Sequence, residues 1–135
     1  MTGVQTCALP IYLVLRLIDQ PGCGLSGEQR AARLVADDQV TIRRAGDGLA
    51  ASAPTALAGL LEVRGLGIVT VSAVDSVPLA LAVRLVPAKD VERLPEAGAV
   101  PFQCLGISLP LVLIDPSQAS APARIRAALD HLGRI

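Results

Sequence analysis

The feature that most constrains this chain is the shortness of its apolar runs. Segments such as Leu13–Leu15, Val40–Ile42, Gly67–Val71, Leu79–Val83 and Leu111–Ile114 are dominated by Leu, Val, Ile and Ala. Arg, Asp, Lys or Pro interrupts each run well short of the roughly 18 to 20 apolar residues that a membrane span needs. Yet the chain is 52% hydrophobic, with a mean hydropathy of +0.55. Short aliphatic runs at that hydropathy are expected of strands covered on both faces. The sequence therefore predicts one mixed α/β domain, and its 135 residues suffice for a real core.

Composition then removes several function classes. Only 18% of residues are charged and the formal net charge is zero, which excludes a disordered tail and a basic nucleic-acid arm. Tyr12 and Phe102 stand without any Trp, so the stacking platforms used to hold single-stranded nucleic acid are missing. Neither a nucleic acid nor a membrane is expected as a partner. Cys7, Cys23 and Cys104 show no metal-ligand spacing and make an odd, scattered set. That pattern predicts a reducing compartment, the cytoplasm, with no disulfide framework and no zinc site.

Residues 1–11 read MTGVQTCALPI. The string lacks the basic start and longer apolar core of a signal peptide. It resembles the translation of a common DNA-sequencing adapter, and we expect it to be foreign to the protein. The alternative is a genuine apolar N-terminal strand.

Beyond it, Leu13–Asp19 suits a short buried helix, ended by Pro21, Gly22 and Gly24. Residues 20–30 read as a flexible insertion. Its Pro-Gly-Cys-Gly-Leu-Ser-Gly stretch imitates a phosphate loop, but has no Lys and does not open a helix. Arg33–Ala36 predicts a buried strand running into Asp37 and Asp38. Val40–Arg44 and Leu49–Ser52 flank Ala45-Gly46-Asp47-Gly48, a hairpin signal. Residues 53–61 suit a helical turn or two, and Gly67–Val71 and Leu79–Val86 are further strands. Residues 88–94 suggest a short polar helix, and Pro101–Leu105 with Ile107–Ile114 a second hairpin. A last helix is predicted over Ala123–Leu132, with Ser120 as N-cap, Pro122 in the first turn and Gly133 as the stop.

Two constellations could carry chemistry. Asp37 and Asp38 close an apolar run, and carboxylates at a strand's carboxyl end stand where open α/β sheets bind ligands. One such acid can hold Mg²⁺ while another takes a hydroxyl proton, and mutual repulsion raises one pKa toward a working base. Asp is also common at strand-to-turn junctions for turn reasons alone. The second constellation is Glu62-Val63-Arg64-Gly65-Leu66-Gly67. Glu62 could reach a metal, Arg64 could clamp phosphate oxygens, and the two glycines suggest a tight bend or backbone held close to a ligand. A surface ion pair beside an ordinary turn would look the same. His131, near a helix end, and Cys104, on a strand, have no catalytic partners in sequence.

LVADDQV followed some two dozen residues later by EVRGLG, with LRLID ahead of both, resembles the HPr kinase/phosphorylase family, closest to its short bacterial forms. The resemblance runs from about Leu13 to Leu129. It implies a P-loop-type α/β kinase core with a mixed sheet and a nucleotide site of the phosphoenolpyruvate carboxykinase kind. It further implies transfer of phosphate from Mg²⁺-bound ATP to a serine of the phosphocarrier protein HPr, in the regulation of carbohydrate metabolism. By this resemblance Asp37 accepts the serine proton and Asp38 is its supporting acid. Glu62 binds Mg²⁺, Arg64 and Arg93 stabilise the transferring charge, and Gly65 and Gly67 line the cofactor site.

The family's GxxGxGKS-type loop immediately precedes the helix matched by LVLRLID. Here the adapter-like string stands in its place, no Gly-Lys-Ser occurs anywhere, and the family's catalytic His is missing upstream. The chain is therefore expected to be a truncated catalytic domain, inactive as written. Asp115-Pro116-Ser117-Gln118 replaces the Gly-Arg-Asn loop of longer members, which makes phosphorylase activity the less secure expectation. Longer members assemble as oligomers, so a homo-oligomer is a further expectation. A kinase of similar fold with another acceptor, or a non-catalytic fragment that binds or assembles, are the alternatives.

Overall fold

The structure, a computed structural model, describes residues 2–3, 8–96 and 100–132. The chain divides into two compact units, Met1–Gln20 with Ala31–Leu79, and Pro21–Arg30 with Ala80–Ile135.

The first unit begins with β1 (Thr2–Gly3) and α1 (Ala8–Asp19), followed by β2 (Val40–Ala45) and β3 (Gly48–Ser52). Then come β4 (Leu60–Val63), β5 (Gly67–Thr70) and β6 (Ser76–Pro78). One antiparallel sheet has the order β1-β2-β3-β6, and β4 and β5 form a separate hairpin. The hairpin expected over 40–52 forms as β2 and β3, with Ala45 facing Gly48 across Gly46 and Asp47. Its β3 strand is central and carries Leu49, Ala50 and Ala51, all buried, so a continuous apolar run marks burial on both faces. The core cluster of this unit joins Leu34, Leu61 and Val63 to Val14, Leu15 and Ile18 of α1 and to Val69, Val71 and Ala73. Positions 14, 15 and 18 lie on one helical face, which is why α1 presents an apolar stripe to β4.

Two expectations fail here for one reason. Arg33–Ala36 is no strand: Leu34 alone makes a parallel bridge to Ala73, and the Val74 N–H donates to the Leu34 carbonyl at 2.8 Å. Residues 53–61 hold only a single 3₁₀ turn, Thr55–Leu57, before β4 begins. In both segments an apolar run meets too few backbone partners to extend a ladder or a helix.

The second unit contains β7 (Ala82–Leu85), β8 (Phe102–Cys104), β9 (Ile107–Leu109), β10 (Leu111–Ile114) and α2 (Ala121–His131). β7 and β10 pair in parallel, Ala82 with Leu111 through Leu85 with Ile114, and β8 with β9 forms the predicted hairpin. The strand expected over Leu79–Val86 is confined to β7, and the helix expected near residue 88 is one 3₁₀ turn, Ala88–Asp90. Helix α2 buries Ala121, Ile125 and Ala128, four and three residues apart, and packs against β10. Pro122 fits its first turn, where its missing N–H breaks no bond. Ser120 makes no side-chain cap bond because its own backbone is already helical, φ −77 and ψ −3, and a capping hydroxyl needs extended backbone. Cys104 is buried and Cys23 exposed, and neither forms a disulfide among the described residues. Cys7 and Gly133 lie outside the described residues. Among the described residues no helix is long and apolar enough to cross a membrane.

The segment read as a flexible insertion is instead closed and anchored. Gly22 and Arg30 exchange both backbone hydrogen bonds, at 3.2 and 3.0 Å. Asp130 Oδ2, on α2, accepts the Leu25 N–H at 2.7 Å and Arg30 Nη2 at 2.9 Å. The Ser26 hydroxyl donates to the Cys23 carbonyl at 2.9 Å. A charge-assisted anchor of this kind orders a loop whose composition alone suggests freedom.

Candidate functional site

The site is built by two segments of the first unit. After the Leu34 bridge the chain bends through Asp37 and Asp38 before β2 starts at Val40. On β4, Leu61 and Val63 point into the core while Leu60 and Glu62 face outward, as the period of two in a half-buried strand requires. Asp37 Oδ2 accepts the backbone N–H of Glu62 at 3.0 Å, joining residues 25 apart in sequence. The bend and the outer face of β4 thus meet, and Asp37, Asp38 and Glu62 line one open cleft of about 180 Å³. Gln39, Leu57, Leu60 and Ile68 complete its wall. Ile68 is directly opposite Glu62 in the β4–β5 register and is 71% exposed.

Burial is the main cause that lifts the Asp38 carboxyl above its ordinary range, reinforced by the negative charges of Asp37 and Glu62. No cationic side chain lines the cleft to offset them. Among the described residues no three His, Cys, Asp or Glu side chains are gathered into a ready metal cage. The donors nevertheless fit Mg²⁺, a hard ion held by one or two carboxylates while it keeps several waters. The cleft is smaller than the roughly 300–1,000 Å³ of small-molecule pockets, and Gln39 is the one lining side chain that can donate a hydrogen bond.

Arg64 follows β4 directly and is exposed, without a salt bridge among the described residues. Gly65 and Gly67 take φ of 92° and 96° in the β4–β5 turn, and a Cβ on either would meet nothing within 4 Å. Their glycines answer to backbone conformation and not to crowding. Arg93 belongs to the second unit, in the exposed stretch after the Ala88–Asp90 turn. The sequence reading missed the aliphatic wall. Ile68 was legible in principle, since a hairpin closing over 64–66 must set it opposite Glu62; nothing local marks Leu57.

The family described as HPr Serine kinase C-terminal domain matches residues 23–115, more than half of the chain. The chain belongs to that family. It is 45% identical over 78 residues to an HPr kinase/phosphorylase of Exiguobacterium sp., an alignment covering 53% of this chain and 25% of that protein. HPr kinase/phosphorylase 1 of Oceanobacillus iheyensis is 42% identical over 77 residues, covering 52% and 25%. The chain thus spans about a quarter of the length of these curated relatives. The solved structure of the HPr(Ser) kinase/phosphatase from Coxiella burnetii superposes with a TM-score of 0.69 at 24% identity, over 94% of this chain and 78% of that one. That likeness carries the fold: the mixed α/β architecture is that of an HPr kinase, a P-loop kinase-like fold. Both LVADD and EVRGLG fall inside the matched family region.

Proposed function

We propose that this chain supplies the acceptor and metal side of an HPr-type serine kinase and transfers no phosphate as it stands. The observation that carries the reading is the single cleft shared by Asp37, Asp38 and Glu62, built from the two segments by which the chain resembles its family. Asp37 Oδ2 is occupied by the Glu62 N–H, so Oδ1 is the atom left to take the proton of an acceptor serine. Glu62, with Asp38 beside it, holds Mg²⁺, which when bound screens the negative charge of a transferring phosphoryl group. Asp38, held above its ordinary range, sheds its proton more readily once a cation stands beside it. Arg64 and Arg93 are the candidates for stabilising transferring charge, and the Gly65–Gly67 turn is the candidate for backbone contact with the nucleotide. The acceptor is HPr, the compartment the cytoplasm, and homo-oligomers and phosphorylase activity belong to the whole enzyme. We further propose that residues 1–11 are foreign.

The chain contains no Gly-Lys-Ser. Positioning of the phosphates dominates phosphoryl transfer, so a site without their cradle should be silent. The test is transfer of labelled phosphate from millimolar Mg-ATP to HPr. The chain as given should show none, and the same chain with a GxxGxGKS-type loop and the family's upstream catalytic His restored ahead of α1 should show it. In the repaired chain Asp37→Ala should cost about 10²–10⁴ in rate. Transfer by the unrepaired chain, or full activity of repaired D37A and E62Q variants, would overturn the reading. Transfer to a metabolite and not to HPr would correct the acceptor.

A further inference from the structure

We infer that Asp37 is a positioning residue for Glu62 as well as a proton acceptor, acting through the hydrogen bond from the Glu62 N–H to Asp37 Oδ2. The inference rests on the magnesium role proposed for Glu62.

The geometry sets the argument. Glu62 is exposed, near the end of a four-residue strand whose only ladder among the described residues is to β5. Its inward neighbours Leu61 and Val63 fix the strand in the core that Leu34 also enters, which brings the two segments together but leaves the stretch beyond Leu34 to set where the Asp37–Asp38 bend meets the outward face. The bend is itself outside the named strands, held upstream by the bridge and the burial of Leu34 and followed by β2 two residues later. One hydrogen bond of 3.0 Å spans the gap. Its acceptor is a carboxylate, which makes it stronger than a neutral pair. A metal shared between Asp38 and Glu62 would need the two segments held at a constant separation, and the Asp37 bond does this at the backbone. The Glu62 side chain then needs no contact of its own to be placed.

The inference separates charge from position, and substitutions can do the same. Asp37→Asn keeps an acceptor oxygen and removes the charge; Asp37→Ala removes both. On the chain as it exists, hydrogen exchange should give a Glu62 amide about tenfold faster in D37A than in the wild type, and little changed in D37N. The Val69 and Leu61 amides should stay unchanged, which distinguishes a loosened strand face from an unfolded variant. With Mn²⁺ alone as probe, paramagnetic broadening at the Asp38 and Glu62 amides should weaken modestly in D37N, through lost charge, and about tenfold more in D37A. Equal weakening in D37N and D37A would overturn positioning and leave a purely electrostatic role. Wild-type exchange at Glu62 that D37A does not alter would overturn it as well. Absence of Mn²⁺ broadening in the wild type would sink the magnesium reading alone; a Glu62 amide released in D37A and retained in D37N would still support the positioning bond.

Discussion

At the scale of single residues, the glycines separate two kinds of necessity. Gly24 has φ +56, and a Cβ there would lie 2.5 Å from Asp130 Oδ2 and 2.8 Å from the backbone of Arg126. Gly65 has φ +92 and open space around it. Gly65→Ala should therefore cost only the left-handed backbone penalty, about 1–2 kcal/mol. Gly24→Ala adds a clash against a helix backbone and should cost about 2 kcal/mol more, as overpacked sites do. Denaturant midpoints of the two variants would check the order. Asp115 offers a second residue-level test. Its carboxylate accepts the Ser117 hydroxyl at 2.7 Å, the Ser117 N–H at 2.9 Å and the Ala88 N–H at 3.1 Å. Those bonds, the Ser117 hydroxyl foremost, hold it below the usual 3.8 against slight desolvation, with Arg124 assisting. A depressed carboxyl contributes stability that is present above pH 3.8 and disappears as pH falls through the folded midpoint. Ser117→Ala should raise the Asp115 midpoint toward its ordinary value, read by NMR titration of the side-chain carbon.

Among the elements, β4 carries most of the argument. Leu61 is fully buried and Val63 nearly so, so the strand is held by its inner face while Glu62 is displayed by its outer one. Leu61→Ala removes a side chain from the cluster formed with Leu34 and α1 and should cost about 2–5 kcal/mol in a urea titration. Because Glu62 and Leu61 share a strand, the same variant should speed exchange at the Glu62 amide, unlike Asp37→Asn. The elements also show where local patterns are sufficient. The β2–β3 turn and the apolar face of α2 follow from spacing and turn chemistry within a few residues. Arg33–Ala36 has the letters of a strand but lacks a neighbouring strand to complete it, and a ladder needs both sides.

On the scale of the whole molecule, the chain leaves the first unit at Gln20, spends Pro21–Arg30 in the second, and returns at Ala31. No composition signal marks that excursion, since the anchoring partner of Leu25 and Arg30 is Asp130, a hundred residues on. The amino-acid sequence by itself determined the mixed α/β class, the β2–β3 and β8–β9 hairpins, the two helices, the family, and which acids to suspect. Each of these depends on periodicity, turn residues or short ordered motifs that act over a few positions. Only the tertiary structure decided that Asp37 meets the Glu62 backbone, that Leu57 and Ile68 wall the same cleft, and that an apparently loose segment is tied to α2. Those are contacts between residues far apart in sequence, and they exist because burial of Leu34, Leu61 and Val63 in one core fixes where the intervening polar backbone must emerge.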